Sequence, residues 1–376
     1  MSFTRTEDFA GQTVDTGSLC LRISTLLGRG AFSAVYRAED ILTGTAYAVK
    51  CLRPSPNTRP EDLEAFFRAE SEHHLAVSDH PNILTIHCVT HHEGNYFLVF
   101  DFCEGGTLSH TVTTPYFWKN DGRIRHSMLQ LLDAVSHCHD RWVAHRDIKP
   151  ENILMSRDKQ TVYLADFGLA HQGEFSSTFC VGSKSYISPE SLRPSEETDF
   201  VDTFASDVWS LGIVFVEMIV GQPPWVVAYD SDRLYREYLR LRARYFTFYM
   251  HLSKDVATLL ARVLDPDPIL RISLEEFKEE LKAVDKFMMT REQLQRASSH
   301  AKANYAWQEE QMLAARSSSS SSSFPSLHAG RDSPPSSSVS GLHTPPNSGG
   351  MAHFSLFKSK PRIKHVKRSL KAFKFW

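Results

Sequence analysis

The chain has 376 residues, 41% of them hydrophobic and 23% charged, with a formal net charge of −2. That length divides into two or three domains or lobes with a sizeable core, and the near-neutral balance supplies no global field pointing to nucleic acid. Six cysteines stand far apart without a Cys-x-x-Cys pair, and no apolar segment opens the chain, so a reducing intracellular setting, cytoplasmic or nuclear, is expected rather than a disulfide framework.

Residues 1–18 are polar, lack clear periodicity and read as an N-terminal extension. From residue 19 to 103 the signals are mainly strand-like, at Leu26-Leu27, Ala34-Val35-Tyr36, Tyr47-Ala48-Val49, Ile83 to Val89 and Tyr96 to Phe102. Turn chemistry separates them at Thr43-Gly44 and Glu93-Gly94-Asn95. One helix interrupts, over about residues 61–76, behind a Pro-rich loop from Pro54 to Pro60. Beyond Gly105-Gly106 apolar residues recur at helical spacing, as in Met128, Leu131, Leu132, Val135 and Cys138, and again in Leu259, Leu260, Val263 and Leu264. The longest apolar run, Leu211 to Val220, is broken by Glu217 and too short to cross a bilayer, so it reads as a buried helix. The expected fold is α+β, with a small antiparallel β-rich lobe (19–103) holding one main helix and a larger helical lobe (104–285). Residues 286–357 are rich in Ser and Pro and read as a disordered linker, since they offer too little apolar surface to offset their ordering entropy. The last segment, 358–376, interleaves eight basic side chains with apolar and aromatic ones.

The stretch "LLGRGAFSAVY" (26–36) carries Gly28 and Gly30 but Ser33 where a third glycine would complete a Gly-x-Gly-x-x-Gly pattern. A dinucleotide-binding turn should open a helix and meet an acidic residue about twenty positions on. Here strand formers follow, and the twentieth residue after Gly30 is Lys50. A phosphate loop of the Gly-Lys-Ser/Thr kind is absent. What remains is a strand-flanked flap over a triphosphate, with Lys50 as a point charge, or a plain Gly-rich turn beside a solvated lysine.

Two central segments weigh heavily toward the flap. "HRDIKPEN" (145–152) sets Asp147 and Asn152 five residues apart, and "DFG" follows at 166–168. Asp166 and Asn152 offer hard oxygens for magnesium, Asp147 can orient and receive the proton of an attacking hydroxyl, and Lys149 can reach the transferring phosphate. With these residues in this order, the chain resembles the eukaryotic protein kinase family, serine/threonine branch, over roughly residues 20–285.

The resemblance implies a bilobal protein-kinase-like fold and transfer of the γ-phosphate of ATP, with Mg2+, to Ser/Thr hydroxyls of protein substrates in intracellular signalling. It implies that Leu27, Gly28, Arg29, Gly30, Ala31, Phe32, Ser33 and Val35 lie over the nucleotide and that Lys50 holds its α- and β-phosphates. Glu70 is expected to pair with Lys50, and Glu72 competes, because the spacing to "HPNIL" departs by one from the commonest form. Phe100 resembles a gatekeeper, Asp101 to Cys103 a hinge that binds adenine, and Ala48, Leu154 and Val35 the walls around the ring. His145 and Phe167 resemble members of a hydrophobic spine. "SPE" (188–190) stands where the family has Ala-Pro-Glu, with Glu190 expected to pair with Arg271, and Asp207 would brace the catalytic loop.

Lys149, with Ser183 in "GSKSY", resembles the serine/threonine branch, and "GSKSYISPES" resembles fungal nutrient or cell-cycle kinases. Arg146 beside Asp147 suits an activation-segment phosphate placed by an upstream kinase near Thr178, with Ser176 and Ser177 as neighbours, unless Arg146 is merely structural. Glu151 and Glu217 are acidic where some relatives favour basic substrates. A catalytically dead scaffold and a small-molecule kinase are the rival readings; the lysine and both aspartates are intact, and the full activation segment suits a peptide substrate. His73-His74 and His91-His92 lack partners at zinc spacing and read as exposed. Cys180 reads as a plain small side chain, with redox sensitivity as the alternative. The segment 358–376 fits a membrane-surface helix, an import or acidic-partner segment, or a solvated basic end. No specific nucleic acid is expected, and the expected state is a monomer.

Overall fold

The computed structural model describes residues 9–30, 33–52, 60–92, 95–192 and 199–319. The chain opens with strands β1 (Thr13–Asp15), β2 (Cys20–Arg29), β3 (Ser33–Asp40) and β4 (Ala46–Leu52), followed by helix α1 (Pro60–Val77) and strands β5 (Ile86–His92) and β6 (Asn95–Asp101). They form one six-stranded antiparallel sheet in the order β1-β2-β3-β4-β6-β5. The period-2 alternation of a strand sorts its residues between two faces. Ala34, Tyr36, Ala38, Val49, Cys51, Phe97 and Val99 pack on one face with Leu21 and Ile23. Leu52, Leu98 and Phe100 face the other way, against Leu63 of α1 and Ala165 of the helical lobe, and Ala48 packs there too.

The sheet starts earlier than residue 19. β1 pairs with β2, and Phe9 enters the core edge-on to Phe97 at 5.5 Å and Tyr36 at 6.1 Å. Phe9 stands in a polar stretch with no period to reveal it, so the expected extension is in part a structural strand.

The helical lobe follows with α2 (Leu108–Val112) and α3 (Asp121–Asp140), then β7 (Val143–Ala144), a 3-10 turn (Pro150–Asn152), β8 (Ile153–Met155), β9 (Val162–Leu164), β10 (His171–Gln172) and β11 (Phe175–Ser176). Next come α4 (Pro189–Leu192), β12 (Val201–Asp202), α5 (Thr203–Val220), α6 (Arg233–Leu241), α7 (Ala243–Tyr249), α8 (Lys254–Val263) and α9 (Leu274–Ala283). Two further helices, α10 (Arg291–Arg296) and α11 (Ser299–Ser319), complete the described chain. Among the described residues α5 alone is long and apolar enough to cross a membrane, and the surrounding helices enclose it. Asp202 caps its N-terminus through Ala205 N–H, and Gly221, at φ +80°, ends it in the left-handed conformation.

The linker expected from residue 286 does not hold over 291–319. Helix α11 buries Ala301, Gln308 and Met312 against the lobe. Gln308 Nε2 donates to the Ile219 carbonyl at 2.8 Å, satisfying an acceptor near the end of α5. Lys119 pairs with Glu309 at 3.1 Å and lies over the rings of Trp118 and Tyr305, and His251 Nδ1 sits 2.8 Å from Asn304 Oδ1. The serine tract from Ser320 onward and the basic segment 358–376 lie outside the described residues.

Candidate active site

The site lies on the sheet's second face, where strand residues and helical-lobe loops converge. In register with Val35 and Leu98, Lys50 of β4 turns its ammonium inward. On α1 the residues Leu63, Glu70, His74 and Val77 are buried, and Phe67 partly so, at helical spacing. A carboxylate and an imidazole in such a stripe need partners. Lys50 Nζ meets Glu70 Oε1 at 2.6 Å and Asp166 Oδ1 at 2.7 Å. Glu72 is exposed, so Glu70 is the partner. Burial alone would lower the lysine's pKa, but the two carboxylates hold it above the usual lysine range. Burial raises Glu70 against the pull of Lys50, whereas Lys50 outweighs desolvation at Asp166 and lowers it.

Across the cleft, Asp147 is nearly buried and heavily hydrogen-bonded. Lys149 Nζ donates to its Oδ2 at 2.7 Å, Ser183 Oγ to its Oδ1 at 2.9 Å, and Asn152 Nδ2 to its backbone carbonyl at 2.9 Å and its Oδ2 at 3.1 Å. Lys149 also reaches Ser183 Oγ at 2.8 Å, so Ser183 bridges Asp147 and Lys149. Arg146 and Asp166 both sit at positive φ, +65° and +66°, a conformation costing ~1–3 kcal/mol each that neighbours must enforce. Asp207, fully buried at the start of α5, does so at the first: its carboxylate accepts the backbone N–H groups of His145 and Arg146, both at 2.8 Å, and faces His139 Nε2 at 2.9 Å. Gly182 closes on this loop at φ +108°, where a Cβ would lie 2.6 Å from the Arg146 carbonyl.

The remaining expected residues line the same cleft. Ala48, Cys103 and Leu154 pack with buried Phe100 and with Ala165. Burial, with the charge of Asp101, pushes the Cys103 thiol up to about 12. Asp101 is held from behind by His87 Nε2 at 2.6 Å. Leu27, Gly28, Arg29 and Gly30 are exposed on the β2–β3 hairpin, whose ends are fixed by Gly30 N–H donating to the Ser33 carbonyl at 2.8 Å, and Val35 is half-buried beside them. Ala31 and Phe32 lie outside the described residues.

The segment from Asp166 to Glu190 is tied at several points. β11 pairs with β12, and Arg271 grips Glu190 with two bonds, 2.7 and 2.9 Å, while its guanidinium carbon lies 5.1 Å from the centroid of the Trp209 ring. Arg146 Nη2 donates to the Thr178 carbonyl at 3.1 Å. Thr178 and Ser177 are exposed, whereas Ser176 is buried.

Sequence reasoning missed one residue here. His74 is fully buried, not exposed, with its ring between Phe100 at 5.0 Å and Phe167 at 4.7 Å. Burial holds its pKa down at about 4. The signal was its place on the stripe of α1, one turn after Glu70; paired histidines gave no reason to use it.

The arrangement joins a buried Lys–Glu–Asp cluster to a hydrogen-bonded Asp–Lys–Ser–Asn cluster, which suits positioning and charge stabilisation of a phosphoryl group. Comparison with known proteins agrees. The protein kinase domain model matches residues 21–281. The chain is 37% identical over 278 residues to "Negative regulator of sexual conjugation and meiosis" of Schizosaccharomyces pombe, covering 68% of this chain and 58% of that protein. It is 31% identical over 255 residues to "SNF-related serine/threonine-protein kinase" of Homo sapiens (67% and 32% covered). Identity is 33% over 260 residues to "Calcium/calmodulin-dependent protein kinase type II subunit delta" of Oryctolagus cuniculus (66% and 46% covered). The chain thus spans less than two thirds of each of these relatives. Matched across most of its length, with the lysine, the two aspartates and the asparagine of the motifs gathered at one cleft, the chain belongs to the protein kinase family.

Proposed function

We propose that the chain is an ATP-dependent serine/threonine protein kinase. The observation that carries this is Lys50 Nζ within 2.7 Å of both Glu70 and Asp166, opposite Asp147 with Lys149 and Ser183. Asp166 fits a metal site: one oxygen is on Lys50, yet the side chain stays 46% exposed to the cleft. Asn152 spends its Nδ2 on Asp147, which leaves its oxygen as the ligating atom. Magnesium bound by these two would offset charge on the phosphate oxygens. Lys50 would hold the α- and β-phosphates, Asp147 would orient the acceptor hydroxyl and take its proton, and Lys149 would stabilise the group in transit. Incubation with ATP, magnesium and a Ser/Thr peptide library tests the reading. Absence of phosphopeptide, with nucleotide binding retained, would turn it toward a scaffold.

Substrate preference follows from Glu217, only 8% exposed, whose carboxylate accepts from Tyr186 Oη at 2.6 Å. Burial and the nearby Glu151 hold its pKa up at about 7. A basic side chain near the acceptor would relieve that cost, so substrates with Lys or Arg by the phosphorylated residue are favoured. Because a raised carboxylate is ionised only above its pKa, KM for a basic peptide should rise several-fold as pH falls from 8 to 6. The KM of a neutral peptide should stay flat; parallel profiles would remove Glu217 from recognition.

Thr178 is the candidate for an activating phosphate, since Arg146 already reaches its carbonyl. Phosphate there should raise kcat, and Thr178→Ala should hold it at the unphosphorylated value. An unphosphorylated wild type as active as the modified protein would make Arg146 purely structural. The name of the Schizosaccharomyces pombe relative directs the search for substrates to the control of conjugation and meiosis.

A further inference from the structure

The last turn of α5 runs into a sequence that cannot complete it. In an α-helix the carbonyl of residue i receives the N–H of residue i+4. For Ile219, which is buried, that donor would be Pro223, and proline has no N–H to give. The donor comes instead from beyond the matched kinase domain, which ends at residue 281: Gln308 Nε2 of α11 reaches the Ile219 carbonyl at 2.8 Å. The other end of that amide, Oε1, is buried without a hydrogen-bond partner. Methionine would fill the same space without stranding an oxygen, so what glutamine adds is the bond it donates. A Cβ at Gly221 would meet the Gln308 side chain at 3.8 Å and that of Trp307 at 4.0 Å, so α11 rests on the turn it completes.

The same turn carries Glu217. Its backbone carbonyl accepts the Gly221 N–H at 2.7 Å, so Glu217 and Ile219 share the closing turn of the helix. Its carboxylate accepts from Tyr186 Oη at 2.6 Å. Tyr186 is fastened to α5 a second time through its own carbonyl, which accepts from Ser210 Oγ at 2.9 Å. The Tyr186 N–H donates to the Ser183 carbonyl at 2.9 Å, and Ser183 Oγ donates to Asp147. The stretch from Ser183 to Tyr186 is thus tied to Asp147 at one end and held at the other between the middle of α5 and its last turn. The last turn is the one that α11 completes.

We propose that Gln308 is a positioning residue for substrate choice: by supplying the donor that Pro223 lacks, it holds the last turn of α5 where Glu217 meets a basic side chain of the substrate. This rests on the kinase reading and on the role given to Glu217 above. The full-length chain tests it with Gln308→Met, which keeps the volume and removes the donor. KM for a basic peptide should rise ~3–10-fold, the scale of one hydrogen bond. The kcat, and the KM for a neutral peptide, should stay within about twofold of wild type, the split expected when only binding is lost. Asn304→Ala cuts the contact of α11 with His251 but spares the bond to Ile219, and should leave both KM values unchanged. Amide hydrogen exchange over residues 217–222 should quicken in Gln308→Met while residues 203–210 keep their protection. Wild-type preference in Gln308→Met, an equal shift in Asn304→Ala, or unchanged exchange over 217–222 overturns the proposal. A wild-type chain that prefers neither peptide would instead remove the role of Glu217, and one that transfers no phosphate would sink the kinase reading. Exchange would still decide whether Gln308 completes the turn.

Discussion

Replacing Asp166 with alanine is expected to reduce phosphate transfer by ~1,000-fold or more, the several kcal/mol that a metal ligand and its charge stabilisation supply, with little loss of stability. Lys50 keeps its 2.6 Å contact with Glu70 in that variant, and the lost carboxylate is 46% exposed, so folding depends on it little. Lys50→Met should be as inactive but behave differently on unfolding. It strands Glu70, whose side chain is 3% exposed, without a cation, and a buried charge deprived of its partner costs ~3–5 kcal/mol. That penalty has a sign in pH. A stranded carboxylate has its folded pKa raised, so the cost is present above that pKa and fades toward ~4, where glutamate is protonated in both states. The pair of variants, assayed for peptide phosphorylation and melted at pH 5 and pH 8, separates chemistry from packing. Wild-type transfer by Asp166→Ala would remove phosphoryl transfer from this cleft.

Cutting the chain after residue 290, which removes α10 and α11, is expected to lower the melting temperature by ~10 °C or more relative to a chain ending at 319, since each kcal/mol is worth ~2–4 °C in domains of this order of size. The Ile219 carbonyl would lose Gln308, an unsatisfied buried acceptor costing ~1–3 kcal/mol, unless water reaches it. His251 would lose Asn304, and the surface under Ala301 and Met312 would be uncovered. Gln308→Ala isolates the first of these effects and should reproduce a third or so of the shift. Equal melting of the two lengths, followed by circular dichroism, would make α11 an ornament.

The division into a strand-rich and a helical part was legible because period 2 gives way to period 3.6 within a few residues of Gly105-Gly106. The grouping of Lys50, Asp147, Asn152 and Asp166 was legible too, because they are polar residues fixed at motif spacing. The choice of Glu70 over Glu72 needed the helix, since only its phase decides which side chain faces the lysine. β5 runs Ile86–His92, three residues later than its apolar signal, because the backbone on either side of Ile83 bonds to Leu164 rather than along the sheet: Leu84 N–H donates to the Leu164 carbonyl and Leu164 N–H to the Asn82 carbonyl. Helix α11 was missed for a related reason. Its buried stripe is Ala301, Gln308 and Met312 with partly buried Tyr305, spaced as a helix requires yet hardly apolar, and it runs directly into a serine tract. His74 was hidden the same way, as a polar letter at a core position.

Helix α5 carries three obligations along one rod. Near its start Asp207 fixes the backbone of the catalytic loop, Glu217 lies ~15 Å further on at 1.5 Å per residue, and Ile219 receives α11. A gene encoding this protein is therefore free to drift at few of these positions independently, since a substitution that shifts the rod to suit a new substrate also disturbs the loop at one end and the terminal helix at the other. With Glu217 in its proposed role, a change of substrate preference is more readily reached by altering Glu151 than by altering the rod.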